Sequence, residues 1–195
     1  MSDNQVGTYK LVASPFHLDV RGKLSMGVLG KHLLNCADAY AAERGFDVVE
    51  QGGEHYTWVL SRLAIELEDL PSCHESFSIQ TWVENVYRLF ADRNFVILNE
   101  DDKPIGYVRS VWAMISMETR TPANLLDLHG DRITNSICEK ECPIAKPGRI
   151  KVSQQEAVSE YVAKYSDLDI NGHVNSIKYI EPILDSFQLD SYKKK

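Results

Sequence analysis

One long helical pattern followed by four strand-like runs limits the folds open to this chain. The helix begins after Ser25, which can cap it, and ends before Gly45. Its apolar face carries residues at helical spacing: Met26, Leu29, Leu33, Cys36, Ala37 and Tyr40. The alternating runs that follow lie at about residues 59–67, 77–83, 95–97 and 105–117. Because their connections are short, we expect an α+β fold in which an antiparallel meander curls around the helix.

A second constraint is a motif that occurs twice, 150 positions apart. The first copy is Leu18-Asp19-Val20-Arg21-Gly22-Lys23-Leu24, at the end of a weakly alternating, strand-like run over residues 9–20. The second is Leu168-Asp169-Ile170-Asn171-Gly172-His173-Val174, after a strand-like start at Val158. Both copies lead into a helical pattern, and only the later one carries Asn and His. The repeat predicts two related units in tandem with one active site.

Between the two motifs, residues 121–157 lose periodicity and gather Pro and Gly, which is typical of a linker. We therefore expect an N-terminal unit over residues 1–120 and the start of a second unit over residues 158–195. The helix of the second unit contains Pro182, which should bend it or leave one backbone hydrogen bond unmade. No meander follows it, so we expect that the sequence is incomplete or that this helix docks on the first unit's sheet. Its apolar face comprises Val174, Ile177, Ile180, Leu184 and Phe187.

Composition excludes several classes of function. The net charge of -7 disfavours nonspecific nucleic-acid binding, which relies on Lys and Arg against phosphate. No apolar run approaches the roughly 20 residues of a membrane span. Residues 1–5 lack the basic and apolar regions of a signal peptide. We expect a soluble cytoplasmic protein whose four cysteines are reduced.

With these features together, the chain resembles the fatty acyl-acyl carrier protein (acyl-ACP) thioesterases, a tandem hotdog family. The resemblance covers residues 9–187, and its most specific segment runs from Ser166 to Asn175. In the first unit it rests on ordinary strand sequence. The remaining resembling segments are 24–26, 58–63, 81–83, Trp112 with Met114, Thr119-Arg120 and 178–180.

The resemblance implies a hotdog fold in tandem, with the second hotdog incomplete in this sequence. It implies hydrolysis of the thioester between a fatty acyl chain and its carrier protein, which releases a free fatty acid and ends chain elongation. The family's active-site Asp, Asn and His correspond to Asp169, Asn171 and His173. A further acidic residue, often with a Cys, lies in the family on a strand that this sequence does not reach. The partner implied is an acylated carrier protein, and a homodimer is compatible with it.

The spacing of these residues suits the chemistry. Asp169, Asn171 and His173 alternate, so in an extended segment they point to one side. Unpaired backbone N–H groups at the following helix start can hold the thioester carbonyl and stabilise the oxyanion. Our hypothesis is that Asp169 orients its neighbours or activates water, Asn171 positions water or the carbonyl, and His173 polarises the carbonyl or transfers a proton. Gly172, where many relatives have a larger polar residue, lets the backbone approach the substrate.

The first unit lacks this triad and is expected to hold the acyl tail. Its candidate lining residues also suit an ordinary core; they are Trp58, Leu63, Trp112 and Met114. The alternative function is a non-catalytic hotdog module that binds acyl groups or acyl carrier protein.

The spacing of two groups of residues resembles that of metal sites. Asp167-x-Asp169-x-Asn171-Gly172 matches the opening of an EF-hand loop, but the twelfth position is Lys178, whose charge repels calcium. Cys138 and Cys142 would need two further zinc ligands, and only His129 is nearby. We expect no metal and no cofactor.

Overall fold

In the computed structural model of the chain, a six-stranded antiparallel sheet packs against one long helix. The structure describes residues 5–149, 160–170 and 172–193. The strands are β1 Gly7–Val12, β2 Val49–Gln51, β3 Glu54–Leu67, β4 Ser76–Val86, β5 Ala91–Leu98 and β6 Pro104–Ser116. The helices are α1 Met26–Glu43, α2 Leu125–His129, α3 Asp131–Thr134, α4 Ile180–Asp185 and α5 Asp190–Lys193. None of the helices in the described ranges combines the length and apolarity needed to cross a membrane.

Helix α1 begins and ends as predicted. The Ser25 side chain accepts a hydrogen bond of 3.4 Å from the Val28 N–H, so it caps the first turn. The helix stops at Arg44, and Gly45 follows with φ 68°, a conformation that favours glycine. The apolar stripe of the helix is buried against the sheet. This core includes Leu29, Leu33, Phe77, Ile79, Phe95, Ile97 and Val108.

The sheet is antiparallel as predicted, but the simple meander is wrong. Strands β4, β5 and β6 do follow one another as neighbours. However, β3 pairs with β6, and β1 takes the free edge of β4, so the order is β1-β4-β5-β6-β3-β2. The chain crosses from β3 to β4 through residues 68–75. Eight residues are long enough to pass two strand positions, since neighbouring strands lie about 5 Å apart.

The opening strand is shorter than the predicted run over residues 9–20. Strand β1 ends at Val12, and Pro15 begins a 3₁₀ turn over Pro15–His17. Proline has no backbone N–H to donate to a neighbouring strand, so it ends the pairing here. The first copy of the repeated motif therefore lies in a turn rather than at a strand end.

Much of the segment predicted as a linker packs on the sheet. Helices α2 and α3 lie in it, and Leu125 and Ile133 are fully buried. Farther on, Cys142 and Ile144 pack with Trp82 of β4 in a separate core cluster. Because side chains alternate along a strand, Trp82 points away from the helix, and this cluster covers the other face. Every residue of β5 is consequently buried. The unit boundaries at 120 and 158 stay a prediction.

The second unit differs from its prediction in two ways. Residues 160–164 form no strand, and the predicted helix over 174–187 is a 3₁₀ turn, Ser176–Tyr179, followed by α4. Pro182 is the third residue of α4, where a missing N–H costs little because the first four N–H groups have no intrahelical partner.

The main contact of the described part of this segment is with helix α1, whereas the prediction was docking on the sheet. Ile177 is 2% exposed, and its Cδ1 and Cγ1 lie 3.0 and 3.1 Å from the place that a Cβ would occupy at Gly30. One turn earlier, the Glu181 carboxylate occupies the space beside Gly27. Two glycines three residues apart therefore create a close contact between the N-terminal helix and the second unit.

We predict that Gly30→Ala destabilises this contact. Alanine normally stabilises a helix interior by about 1 kcal/mol over glycine, but here its Cβ would displace the branched Ile177 side chain, with a net loss of roughly 1–3 kcal/mol. Urea unfolding and limited proteolysis of residues 160–193 measure the effect. Gly27→Ala is the matched control, because the flexible end of Glu181 can move aside. Equal stability of the two variants would contradict the prediction.

Candidate active site

The two copies of the motif form the same turn. In the first, Asp19 N–H donates to the Lys23 carbonyl at 2.8 Å and Gly22 N–H donates to the Asp19 carbonyl at 3.0 Å. In the second, Asp169 and Gly172 make the equivalent bonds, at 2.7 and 3.0 Å. Gly22 and Gly172 have φ 72° and 73°, which explains why both copies require glycine. We call residues 17–25 the first turn and residues 167–175 the second turn.

Each turn is followed by a capped helix start. Ser25 N–H donates to the His17 carbonyl at 2.9 Å, and Asn175 N–H donates to the Asp167 carbonyl at 2.8 Å. The Asn175 side chain then accepts from the Ile177 N–H at 3.1 Å and caps the 3₁₀ turn. The predicted junction with a helix is present, but a 3₁₀ turn, Tyr165–Asp167, precedes it instead of a strand.

The turns differ in how their aspartates are held. Asp19 accepts from the Arg21 backbone at 2.8 Å and forms an ion pair with the Arg21 side chain at 2.6 Å. Burial opposes ionisation of Asp19, yet these bonds outweigh it and lower its pKa. In the second turn, Asp169 Oδ1 accepts from the His173 N–H at 3.0 Å. Asn171 replaces Arg21 and lies outside the described residues; as a neutral amide, it cannot provide the same ion pair.

Asp169 lies on the wall of a cavity of about 380 Å³ between α1 and the sheet, here called the helix–sheet cavity. Its exposed residues mark a mouth, and they include Asn35 and Asp38 of α1 and Ile170 of the second turn. The buried residues of its wall mark a floor: Ala37, Ala41, Val83, Ala91, Arg93 and Ile133. The second unit contributes Asp169, Ile170 and Asn175.

The structure separates the four predicted acyl-binding residues. Trp58 and Trp112 line the helix–sheet cavity, and their indole N–H groups donate to the Phe46 carbonyl at 2.9 Å and to Ser110 Oγ at 2.8 Å. Leu63 and Met114 are not on its wall; Leu63 packs on the neighbouring core, and Met114 is fully buried. Gly172 is exposed within the second turn and is also absent from the wall.

His173 is exposed, and its contact is with Arg120 of the first unit. Arg120 Nη1 lies 3.0 Å from His173 Nε2. A guanidinium only donates hydrogen bonds, so Nε2 must accept and the imidazole is neutral with its proton on Nδ1. Sequence reasoning gave Arg120 no role. Its φ of 60°, rare for a residue other than glycine, places it in the turn after β6.

The residues considered for metals have other partners. The Asp167 carboxylate accepts from the Tyr161 hydroxyl at 2.6 Å and from the Lys164 N–H at 2.8 Å, and these bonds lower its pKa. Cys142 packs with Trp82 on the outer face of the sheet. His129 instead stacks on Trp58, with ring centres 5.8 Å apart.

Two models of one protein family match this chain. Residues 9–130 match the family model of the acyl-ACP thioesterase N-terminal domain, and residues 150–195 match that of the C-terminal domain. The chain belongs to the acyl-ACP thioesterase family. The resemblance inferred from the motifs is thereby confirmed.

Solved structures of acyl-ACP thioesterases share the fold of this chain. A crystal structure of an acyl-ACP thioesterase from Bacteroides thetaiotaomicron is 58% identical, with a TM-score of 0.90, and the match covers 100% of this chain and 79% of that one. The 12:0-ACP thioesterase from Umbellularia californica is 15% identical, with a TM-score of 0.77 over 97% of this chain and 73% of that one, and shows the fold alone. The predicted hotdog architecture is confirmed.

Curated thioesterases match over part of their length. The palmitoyl-acyl carrier protein thioesterase of Gossypium hirsutum is 26% identical over 80% of this chain and 39% of that protein. The oleoyl-acyl carrier protein thioesterase of Coriandrum sativum is 28% identical over 68% of this chain and 38% of that protein. The chain thus spans about two fifths of the length of these relatives.

Behind Trp58, His129 makes the stability of this family member sensitive to acid. His129 is 2% exposed, and burial, with a smaller effect of Arg132, lowers its pKa to about 4. In the unfolded chain the pKa of this imidazole is 6.5. The contribution of neutral His129 to the free energy of unfolding is therefore fully present above pH 6.5 and is lost progressively as the pH falls toward 4. We predict that the free energy of unfolding falls by ~2 kcal/mol more in the wild type than in His129→Leu between pH 7.5 and 5. Urea unfolding measures this difference, and parallel pH curves would contradict it.

The contact of Arg120 with His173 predicts the tautomer of the imidazole. Nitrogen-15 NMR of His173 should show the proton on Nδ1 in the wild type. In Arg120→Ala this preference should disappear, because Nε2 loses its donor, whereas Arg120→Lys, which keeps a donor, should retain part of it. A wild-type imidazole with its proton on Nε2 would show that the contact does not form in solution.

Proposed function

We propose that this chain provides the catalytic turn and the acyl-binding cavity of an enzyme that hydrolyses fatty acyl-ACP and releases the free fatty acid. The observation that carries the proposal is the position of Asp169. It lies on the wall of the helix–sheet cavity, in the copy of the turn that carries Asn171 and His173. Membership of the acyl-ACP thioesterase family and the printed activities of the relatives support the substrate.

The helix–sheet cavity suits an acyl tail. Its volume of about 380 Å³ lies within the roughly 300–1,000 Å³ of small-molecule sites. Most of its buried wall is apolar. Removing hydrocarbon surface from water stabilises the bound state by about 25 cal/mol per Å² of surface. The aromatic walls Trp58 and Trp112 are fixed by indole hydrogen bonds, so the wall keeps its shape. The apolar wall residues of lowest exposure are Ala37, Ala41, Val83, Ala91 and Ile133.

The proposed reaction uses the second turn and one residue of the first unit. The Asp169 carboxylate accepts a proton from water as the water oxygen bonds to the thioester carbonyl carbon. The carbon–sulfur bond then breaks, and Asp169 passes the proton that it took from water to the departing thiolate of the carrier protein arm. The Nδ1 proton of His173 stays on the ring and hydrogen-bonds the carbonyl oxygen as negative charge develops there. Arg120 holds the imidazole with that proton in place. Asn171 positions the water or the carbonyl by its amide.

Acyl carrier protein is the proposed partner, since the relatives are named for it. The net charge of -7 means that a surface attracting an acidic carrier protein would be local, and Arg120 at the turn is part of such a surface. We also infer a role in fatty acid biosynthesis in the cytoplasm and assembly as a homodimer.

We predict that Asp169→Asn lowers kcat for acyl-ACP hydrolysis at least about a hundredfold, because general base catalysis contributes 10²–10⁴-fold. Asp19→Asn is the matched control: it changes the same position of the same turn in the first unit, away from the helix–sheet cavity, and should keep kcat within about twofold. Turnover of a panel of acyl-ACPs by the purified chain is the measurement.

The same assay contains the outcome that would overturn the assignment. If a double variant, Asn171→Ala with His173→Ala, hydrolyses acyl-ACP as fast as the wild type, the second turn is not catalytic. Acyl-ACP binding without any turnover by the wild type would favour the non-catalytic binding module.

A further inference from the structure

The floor of the helix–sheet cavity carries a buried cation. Arg93 on β5 is 6% exposed, although its guanidinium lies where the neighbouring wall residues are apolar. Its central carbon is 4.6 Å from the centre of the Tyr40 ring, and Nη1 donates a long hydrogen bond of 3.4 Å to Thr81 Oγ1. Burial lowers the pKa of Arg93 to about 10, so the group remains charged at neutral pH.

This cation has no carboxylate partner among the described residues. By contrast, Arg109 of β6 pairs with Glu84 at 2.7 Å, and Lys146 pairs with Asp92 of β5 at 3.0 Å. No ion pair of the described ranges includes Arg93. Burying an unpaired charge is costly unless water or another polar group solvates it. The helix–sheet cavity is the space beside Arg93 in which water can do so.

The exposure of the wall residues gives the direction of a bound chain. Asp169 and Ile170 lie toward the mouth, where Ile170 is fully exposed, whereas Arg93 lies at the buried floor. If the thioester is held at Asp169, as the proposed function requires, the acyl chain enters at the mouth. Its methyl end then points toward the floor.

We propose that Arg93 is a specificity-determining residue that limits the length of the acyl chain accepted by the helix–sheet cavity. A methyl end that reaches the floor displaces water from the guanidinium and offers no hydrogen-bond acceptor in return. A shorter chain leaves that water in place. The charge therefore selects against long hydrocarbon chains, independently of the volume of the cavity.

The test compares Arg93→Met with the wild type across saturated acyl chains of increasing length. Two readouts are used: the affinity for the free fatty acids by calorimetry, and kcat/KM for the corresponding acyl-ACPs. The longest chain that the wild type binds poorly should bind at least about tenfold more tightly to Arg93→Met, and its kcat/KM should rise similarly. Arg93→Lys keeps the charge and should keep the wild-type limit.

Arg44→Met is the matched control. Arg44 lies over the same Tyr40 ring, with its central carbon 3.6 Å from the ring centre, but it is not on the cavity wall. Its replacement removes a cation from Tyr40 without changing the floor, so the length profile should stay as in the wild type. If Arg93→Met does not fold, as judged by its thermal transition, Arg93→Gln removes the charge while keeping a donor for Thr81.

The readouts separate this inference from the proposed function. A changed length profile in binding, without hydrolysis by any variant, would support Arg93 as the limit and overturn the catalytic proposal. Hydrolysis by the wild type with an unchanged profile in Arg93→Met and Arg93→Gln would overturn the role of Arg93 and leave the enzyme intact. A shift in Arg44→Met as large as that in Arg93→Met would also overturn it.

Discussion

The close approach of Ile177 to Gly30 is the contact on which the candidate site depends. It brings the second unit against α1, and Asp169 reaches the helix–sheet cavity only because this segment is docked. Two glycines in an 18-residue helix sacrifice about 1 kcal/mol each in helix propensity. Burial of the Ile177 side chain returns roughly 1.5–3 kcal/mol, so the glycines are explained by the contact and not by the helix.

The two copies of the turn share one backbone structure but differ in the charges of their side chains. Both copies use an aspartate to accept a backbone N–H and a glycine at positive φ, which is sufficient to make the turn. The first copy adds Arg21, and its ion pair occupies the Asp19 carboxylate. The second places neutral Asn171 at that position. The reactivity proposed for the second turn thus requires no new backbone, only different side chains at positions 171 and 173.

The parts of the fold that were predictable are those set by local chemistry. The cap at Ser25, the end of α1 near Gly45 and the existence of the four long strands all follow from neighbouring residues. The pairing of β3 with β6 does not, because alternation shows that a segment is a strand and contains no information on its partner. The repeat predicted one turn twice but not the docking of the second copy, which depends on the facing glycines of a distant helix.

The site was less predictable than the fold, for reasons that individual residues show. Trp58 and Trp112 lie on the wall of the helix–sheet cavity, whereas Leu63 and Met114, named with them as candidate lining residues, belong to the core. Whether a large apolar side chain meets a cavity or another side chain depends on what faces it across the fold. Arg93 did leave a signal: in the inward positions of β5, where Ala91 and Phe95 are apolar, it is the charged exception.

The charge of Arg93 also explains why the core contains a cavity. Inward-facing residues form two clusters, one around Phe95 and one around Ala91, and Arg93 lies between them on β5. On the facing helix, Ala37 and Ala41 are one turn apart and too small to fill the gap. Larger side chains there would improve packing but would press hydrocarbon onto an unpaired guanidinium, which burial of apolar surface does not offset. The guanidinium of Arg93 requires solvated space, and the small side chains of Ala37 and Ala41 leave that space open.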